Sequence, residues 1–193
     1  HDMLWNGKPE VFQKLAQHNV DLIRRSGAKR VVFNCPEGYY TFKHHYPQYV
    51  GELDFELIQF YDMAERLVSE GALKLRNGSG VYTYHDPCRL GRMARIFEGP
   101  RNILKQVADS HFVEMERNRE NAVCCGTSGW ANCSTGSKQI QVERLKEAAA
   151  TGADTLITAC PKCQIHLSCA LSNIDLPLQI KDLTTLIAET MEA

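Results

Sequence analysis

One stretch of this chain recurs imperfectly, matching in architecture more than in residues. Gly27-Ala28-Lys29-Arg30-Val31-Val32-Phe33-Asn34-Cys35-Pro36-Glu37-Gly38 returns 125 residues later as Gly152-Ala153-Asp154-Thr155-Leu156-Ile157-Thr158-Ala159-Cys160-Pro161-Lys162-Cys163. Each copy reads as a glycine stop, a short β-branched strand, and Cys-Pro opening a helix. Upstream of each glycine an amphipathic helix is predicted. The first runs from Pro9 to Ser26, with Val11, Leu15, Val20 and Ile23 among its apolar positions. The second runs from Gly136 to Ala150, with Ile140, Leu145 and Ala148 or Ala149. Downstream, each copy adds a helix after its Cys-Pro turn, then a strand and a closing helix within Phe55 to Glu70 and Leu176 to Glu192. The expected fold class is α/β, built from duplicated open-sheet units.

The copies are not equally complete. Asn77-Gly78-Ser79-Gly80 is a turn-rich break and the expected domain boundary. After it come a strand from Val81 to His85 ending at Asp86-Pro87-Cys88, a helix from about Gly99 to Ala108, a strand from His111 to Glu116, and a further strand from Thr155 to Ala159. Residues 79–193 therefore read as a complete unit and residues 1–78 as the C-terminal half of one. The missing first half should carry counterparts of Cys88, Cys124 and Cys125. A chain that opens at His1 with Met at position 3 also reads as a processed or excised piece, whose upstream signals would lie outside it.

With 193 residues, 44% hydrophobic and 23% charged, the chain can bury a sizeable core. Twenty-two basic side chains balance 23 acidic ones, without a basic stripe, so neither nucleic acid nor an anionic membrane is expected as a partner. No apolar run approaches the roughly 20 residues needed to cross a bilayer, and His1-Asp2-Met3-Leu4-Trp5 lacks the regions of a signal peptide. A cytoplasmic setting is expected. There, eight cysteines read as metal ligands or redox groups rather than a disulfide framework.

Five of them, Cys88, Cys124, Cys125, Cys160 and Cys163, follow the pattern C-x35-CC-x34-C-x-x-C. All three stations fall where a strand or loop hands over to a helix, the rim where an open α/β layout collects ligands. Pro161 bends the chain so that Cys160 and Cys163 can face one site, and the new helix offers unpaired N–H groups to a negative cluster. Gly126 and Gly129 let backbone approach sulfur closely. Neighbouring side chains such as those of Cys124 and Cys125 diverge, which suits two metal atoms of a larger cluster better than one ion. Three other readings stay open at this point: buried hydrophobic thiols, a vicinal disulfide at Cys124-Cys125, and a zinc site using four of the five.

His85-Asp86-Pro87-Cys88, Cys124-Cys125-Gly126 and Ala159-Cys160-Pro161-Lys162-Cys163 closely resemble the CCG (cysteine-rich) domain of the heterodisulfide reductase catalytic subunit and its relatives. Those relatives include iron-sulfur subunits of glycolate, lactate and anaerobic glycerol-3-phosphate oxidising complexes. Cys35-Pro36-Glu37-Gly38-Tyr39-Tyr40-Thr41-Phe42-Lys43 resembles the tail of the preceding domain in the same family. The resemblance implies two α/β domains facing each other across a metal-site cleft. Each complete motif there holds a non-cubane 4Fe-4S cluster through five cysteines or, in some members, another metal. It makes Cys88, Cys124, Cys125, Cys160 and Cys163 the ligands here, with zinc as the alternative. It also implies an oxidoreductase subunit acting in electron transfer or thiol/disulfide chemistry. The other readings are an electron relay of a glycolate, lactate or glycerol-3-phosphate oxidising complex, or a zinc-stabilised interaction module. Ferredoxin-like or flavin-bearing redox subunits are the implied partners, although no glycine-rich dinucleotide fingerprint follows a strand. The first motif departs from the pattern, with Cys35 but Gly38, so one cluster with a relay role fits better than two-cluster disulfide cleavage.

Several residues lie outside the pattern. Cys133 and Cys169 read as core thiols, and Cys35 as a turn residue on the same rim. His85 and Asp86 stand close enough to Cys88 to hydrogen-bond around a cluster, with a satisfied strand-end histidine as the plainer role. His44 and His45 read as exposed helix residues. Arg89, Arg92 and Arg95 read as a solvated basic run that could also balance cluster charge.

Overall fold

The computed structural model describes residues 1–108, 111–126 and 134–192. After a short helix α1 (Asp2–Trp5), α2 (Pro9–Ser26) leads to β1 (Arg30–Phe33), α3 (Pro36–Tyr40), α4 (Tyr46–Val50), β2 (Glu56–Gln59) and α5 (Phe60–Ser69). β3 (Tyr82–His85), α6 (Glu98–Ala108), α7 (Thr135–Ala150), β4 (Thr155–Thr158), α8 (Pro161–Leu171), β5 (Gln179–Asp182) and α9 (Leu183–Thr190) follow. Two small parallel sheets result, β1-β2 and β3-β4-β5. The mixed α/β class expected from the repeat is what the chain adopts.

The repeated stretches fold alike. α2 ends at Gly27 and α7 is followed by Gly152, at φ 74° and 78°, left-handed values that favour glycine. β1 and β4 occupy the same place in each copy, and α3 and α8 both begin at the proline after a cysteine. The caps also correspond: Gln59 accepts the Tyr61 N–H at the start of α5, and Asp182 accepts the Thr184 N–H at the start of α9. One difference stands out. β4 is paired on both sides, whereas β1 pairs only with β2 among the described residues, and Val32 on it is exposed.

Alternation along the central strands sorts side chains to two faces. Tyr82 and Tyr84 of β3 join Ile157 and Ala159 against α6 and α9, where Leu90, Ile103, Leu104, Val107, Leu183 and Leu186 complete a core. Leu156 faces the other way, into a core with Leu145, Ala148, Leu167, Leu178, Cys125, Cys160 and Cys163. A third core, around Phe12, Ala16, Val20, Tyr46 and Phe55, sits under α2.

Three details differ from the expectation. Over His111 to Glu116 only Phe112 bridges Tyr82, and the run forms no strand. Just beyond, Glu114 turns to Arg101 and the Arg117 N–H to Glu147, which draws the backbone off the sheet. In α2 the buried stripe is Phe12, Ala16 and Val20, whereas Val11 and Leu15 are exposed; the apolar residues there exceed one face, and packing selects the stripe nearest Tyr46. Ile140 of α7 is likewise exposed. No helix among the described residues is long and apolar enough to cross a membrane.

Just past β3, the Asp86 carboxylate receives both Nη1 and Nη2 of Arg101 at 2.7 Å, and Arg101 also reaches Glu114. Burial alone would lower the Arg101 pKa, but the hydrogen bonds it donates to Asp86 and Glu114 raise it. Both partners are almost wholly buried. Removing one partner of such a pair leaves a buried charge uncompensated. Arg101→Leu is expected to lower unfolding free energy by about 3–5 kcal/mol, measured by chemical denaturation. A loss too small to resolve would show that the pair contributes little.

Candidate metal centre

The carboxyl ends of β3 and β4 lie side by side, with His85 opposite Thr158. The chain leaves β3 through Asp86-Pro87 to Cys88 and leaves β4 through Ala159 to Cys160, so two distant cysteines emerge together. Cys163 follows one turn into α8. The Cys124-Cys125 pair arrives on a loop that runs into Gly126, at φ 79°. A Cβ there would meet the Ser137 carbonyl at 2.5 Å and Gln141 Cγ at 2.7 Å, so the loop seats against α7 only because the residue is glycine.

The five sulfurs neighbour one another in a run. Cys88 interacts with Cys124, Cys124 with Cys125, Cys125 with Cys163 and Cys163 with Cys160, and the sulfurs of Cys125 and Cys163 lie within 4.8 Å of each other. Cys125, Cys160 and Cys163 are buried, Cys88 and Cys124 half-buried, and none of the five forms a disulfide, which removes the vicinal bridge. Hydrogen bonds from Cys125 and Cys88 hold the Cys124 thiol far below its usual range. Hydrogen bonds from the Cys163 thiol and from the N–H groups of Cys163 and Lys162 at the start of α8 likewise lower Cys160. Cys88 and Cys163 shift upward as the donors of these pairs. Cys124 and Cys160 are thus acidified, the state a metal demands of thiol ligands.

A small cavity of about 20 Å³ opens on the run, lined by Cys88, Cys125, Cys160, Cys163, Arg89, Lys162 and Glu37. Lys162 Nζ sits 2.5 Å from Glu37 Oε2, and Arg89 Nε lies 3.8 Å from Oε1. Glu37 and Lys162 hold the same place in the two copies of the repeat. Their opposite charges at equivalent positions were readable in the sequence, yet only folding shows that they meet.

Other expectations are redistributed. Arg89 is buried rather than solvated, its guanidinium 5.1 Å from the Trp5 ring and 5.9 Å from that of Tyr40, while Arg92 and Arg95 are exposed. Cys169 is exposed, accepting from Lys138 Nζ at 3.1 Å, because its turn of α8 faces away from the Leu167 and Ala170 core. Cys133 and Gly129 lie outside the described residues. His44 is exposed, but His45 is half-buried against Tyr40, and burial with the nearby Arg89 charge lowers its pKa. Cys35 is half-buried near Cys160, its pKa raised by burial, and the Phe33 ring lies 3.4 Å from where a Gly38 side chain would begin. Asp86 turns from the sulfurs to Arg101. His85 is fully buried on the cysteine face, one ring nitrogen within 4.8 Å of the Cys125 and Cys163 sulfurs. Burial and the adjacent Arg144 push its pKa down to about 3. Arg144, also fully buried, carried no signal in the sequence.

The profile of the Cysteine-rich domain family (CCG) matches residues 2–43 and 82–168, one block in each half and the second spanning all five sulfurs. The chain belongs to the CCG family. Among curated relatives, a subunit of the dihydromethanophenazine:CoB–CoM heterodisulfide reductase of Methanosarcina acetivorans is 33% identical over 94% of this chain and 46% of its own length. "Probable iron-sulfur-binding oxidoreductase FadF" of Bacillus subtilis is 31% identical over 96% of this chain and 27% of its own. "EtfAB:quinone oxidoreductase" of Syntrophomonas wolfei is 32% identical over 81% and 23%. The chain spans less than half the length of these relatives.

The Gly126 contacts give a direct test. Gly126→Ala is expected to cost about 1–2 kcal/mol for the left-handed backbone alone, with further loss as Cys125 is pushed off α7. Denaturation and thiol labelling of Cys125 in the folded protein should both register the change. Wild-type stability with unchanged Cys125 protection would show that the loop accommodates a side chain.

Proposed function

We propose that Cys88, Cys124, Cys125, Cys160 and Cys163 hold one iron-sulfur centre of the 4Fe-4S kind, non-cubane because an adjacent cysteine pair takes part. The chain then serves as an electron-transfer subunit or domain of a heterodisulfide-reductase-like oxidoreductase complex. The observation that carries this reading is the extended run of five neighbouring sulfurs, four of which line one cavity. Four thiolates on one tetrahedral zinc, with bonds of about 2.3 Å, would stand roughly 3.8 Å from one another. Among the described residues the group of candidate ligands mutually within 4.8 Å is His85, Cys125 and Cys163, with only two sulfurs in it. A run that reaches from Cys88 to Cys160 suits several metal atoms instead.

The surroundings fit a polynuclear anion. The N–H groups at the start of α8 and the cations Arg89 and Lys162 offset thiolate charge, with Glu37 anchoring both cations. Burial of Cys125, Cys160 and Cys163 limits water at the centre. When bound, such a centre accepts and releases single electrons. We favour relay over disulfide cleavage, because Gly38 stands where a second centre beside Cys35 would need a sulfur.

The relatives' names, a heterodisulfide reductase and a quinone oxidoreductase, support other redox subunits as partners, flavin-bearing or ferredoxin-like. Cysteines that serve as metal ligands favour a reducing, cytoplasmic setting. We further read residues 1–78 as the C-terminal half of a first CCG unit and 79–193 as a complete one, facing each other where Glu37 meets Lys162. The single-sided pairing of β1 supports that reading.

Protein purified without oxygen is expected to contain iron and acid-labile sulfide and to show a paramagnetic resonance signal on oxidation or reduction. Cys125→Ala and Cys163→Ala should each lose most of the iron, while Cys35→Ala and Cys169→Ala should keep it. A colourless sample carrying one zinc and no sulfide rules the centre out.

A further inference from the structure

His85 has no part in the ligand set proposed above, yet its surroundings define which of its nitrogens carries a proton. Arg144 Nε lies 3.1 Å from His85 Nδ1. A guanidinium N–H can only donate, so Nδ1 must present its lone pair. Arg144 cannot swing away: Nη1 is held by the Arg117 carbonyl and by Glu147 Oε2, each at 2.9 Å, and the side chain is fully buried. A doubly protonated ring would set N–H against N–H. The ring is therefore neutral with its proton on Nε2. That atom is buried without a hydrogen-bond partner among the described residues. Strand alternation sends His85 to the face opposite Tyr84, into the cysteine group, where a ring nitrogen comes within 4.8 Å of the sulfurs of Cys125 and Cys163.

We propose that His85 is a hydrogen-bond donor to the sulfur of the centre through Nε2–H and not a metal ligand, with Arg144 and Glu147 as the positioning residues that fix its tautomer. This rests on the iron-sulfur reading above. Direct ligation through Nε2 would require that atom to surrender its proton while Nδ1 still faces a donor, leaving an imidazolate. A metal-bound histidine normally directs its other N–H at an acceptor, and here that side is occupied by a cation. A donor aimed at sulfur stabilises the more negative, reduced form and so raises the reduction potential.

The test is a redox titration of oxygen-free protein followed by paramagnetic resonance, with iron and sulfide measured on each sample. His85→Leu is expected to retain iron and sulfide and to shift its reduction equilibrium about tenfold toward the oxidised form, about 59 mV downward for one electron. His85→Gln, which keeps an N–H donor, should stay near wild type. On wild-type protein carrying isotopically labelled histidine, pulsed resonance should find weak nitrogen coupling and an exchangeable deuteron after transfer to deuterated water. This second measurement decides the matter even where His85→Leu does not assemble. Strong coupling from directly bonded nitrogen, no histidine coupling at all, or a His85→Leu potential equal to wild type overturns the role of His85 and leaves the five-cysteine centre standing. Wild-type protein without iron and sulfide removes the centre itself, and the role of His85 with it.

Discussion

The parallel register of β3 on β4 is the constraint from which the cysteine site follows. With His85 opposite Thr158, the two chain exits toward Cys88 and Cys160 lie together. A slip of one residue would reverse every side chain across the sheet, turning the Tyr84 phenol into the sulfurs and His85 into the aliphatic core. Both strands are buried along their whole length. Register is therefore enforced by packing on both faces, with Tyr82, Tyr84 and Ile157 to one side and Leu156 to the other.

Around that sheet end the buried charges stand on three sides. Asp86 and Arg101 tie the exit of β3 to α6 on the side away from the sulfurs. Glu147 and Arg144 reach from α7 toward His85. Glu37, Lys162 and Arg89 close the cavity from the third side. Each buried cation has a carboxylate within reach, as the cost of desolvating a charge requires.

Residues on either side of the turn-rich stretch also meet away from this cavity. The Tyr61 hydroxyl of α5 lies 3.3 Å from Asp182, the cap of α9, and Tyr61 with Ala64 belongs to the same core as Leu183 and Leu186. The backbone between the halves is also fastened, with the Arg76 N–H on the Thr190 carbonyl and the Gly78 N–H on that of Val107. The turn-rich stretch read from sequence as a break is thus pinned to the second half at its ends.

What the sequence by itself determined is what local chemistry dictates. Glycine stops, β-branched runs and Cys-Pro turns have meaning within a few residues, so α2, β1, β4 and α8 were legible. The strand expected over His111 to Glu116 failed because Glu114 and Arg117 answer to distant partners. The burial of Arg89 depends on Trp5 and Tyr40, and the exposure of Cys169 on which face of α8 meets the sheet. Tertiary structure alone decided that Glu37 meets Lys162 and that Arg144 fixes the His85 proton. Those contacts join residues 125 and 59 apart in the chain, and no local propensity encodes a pairing that exists only once the sheets have packed.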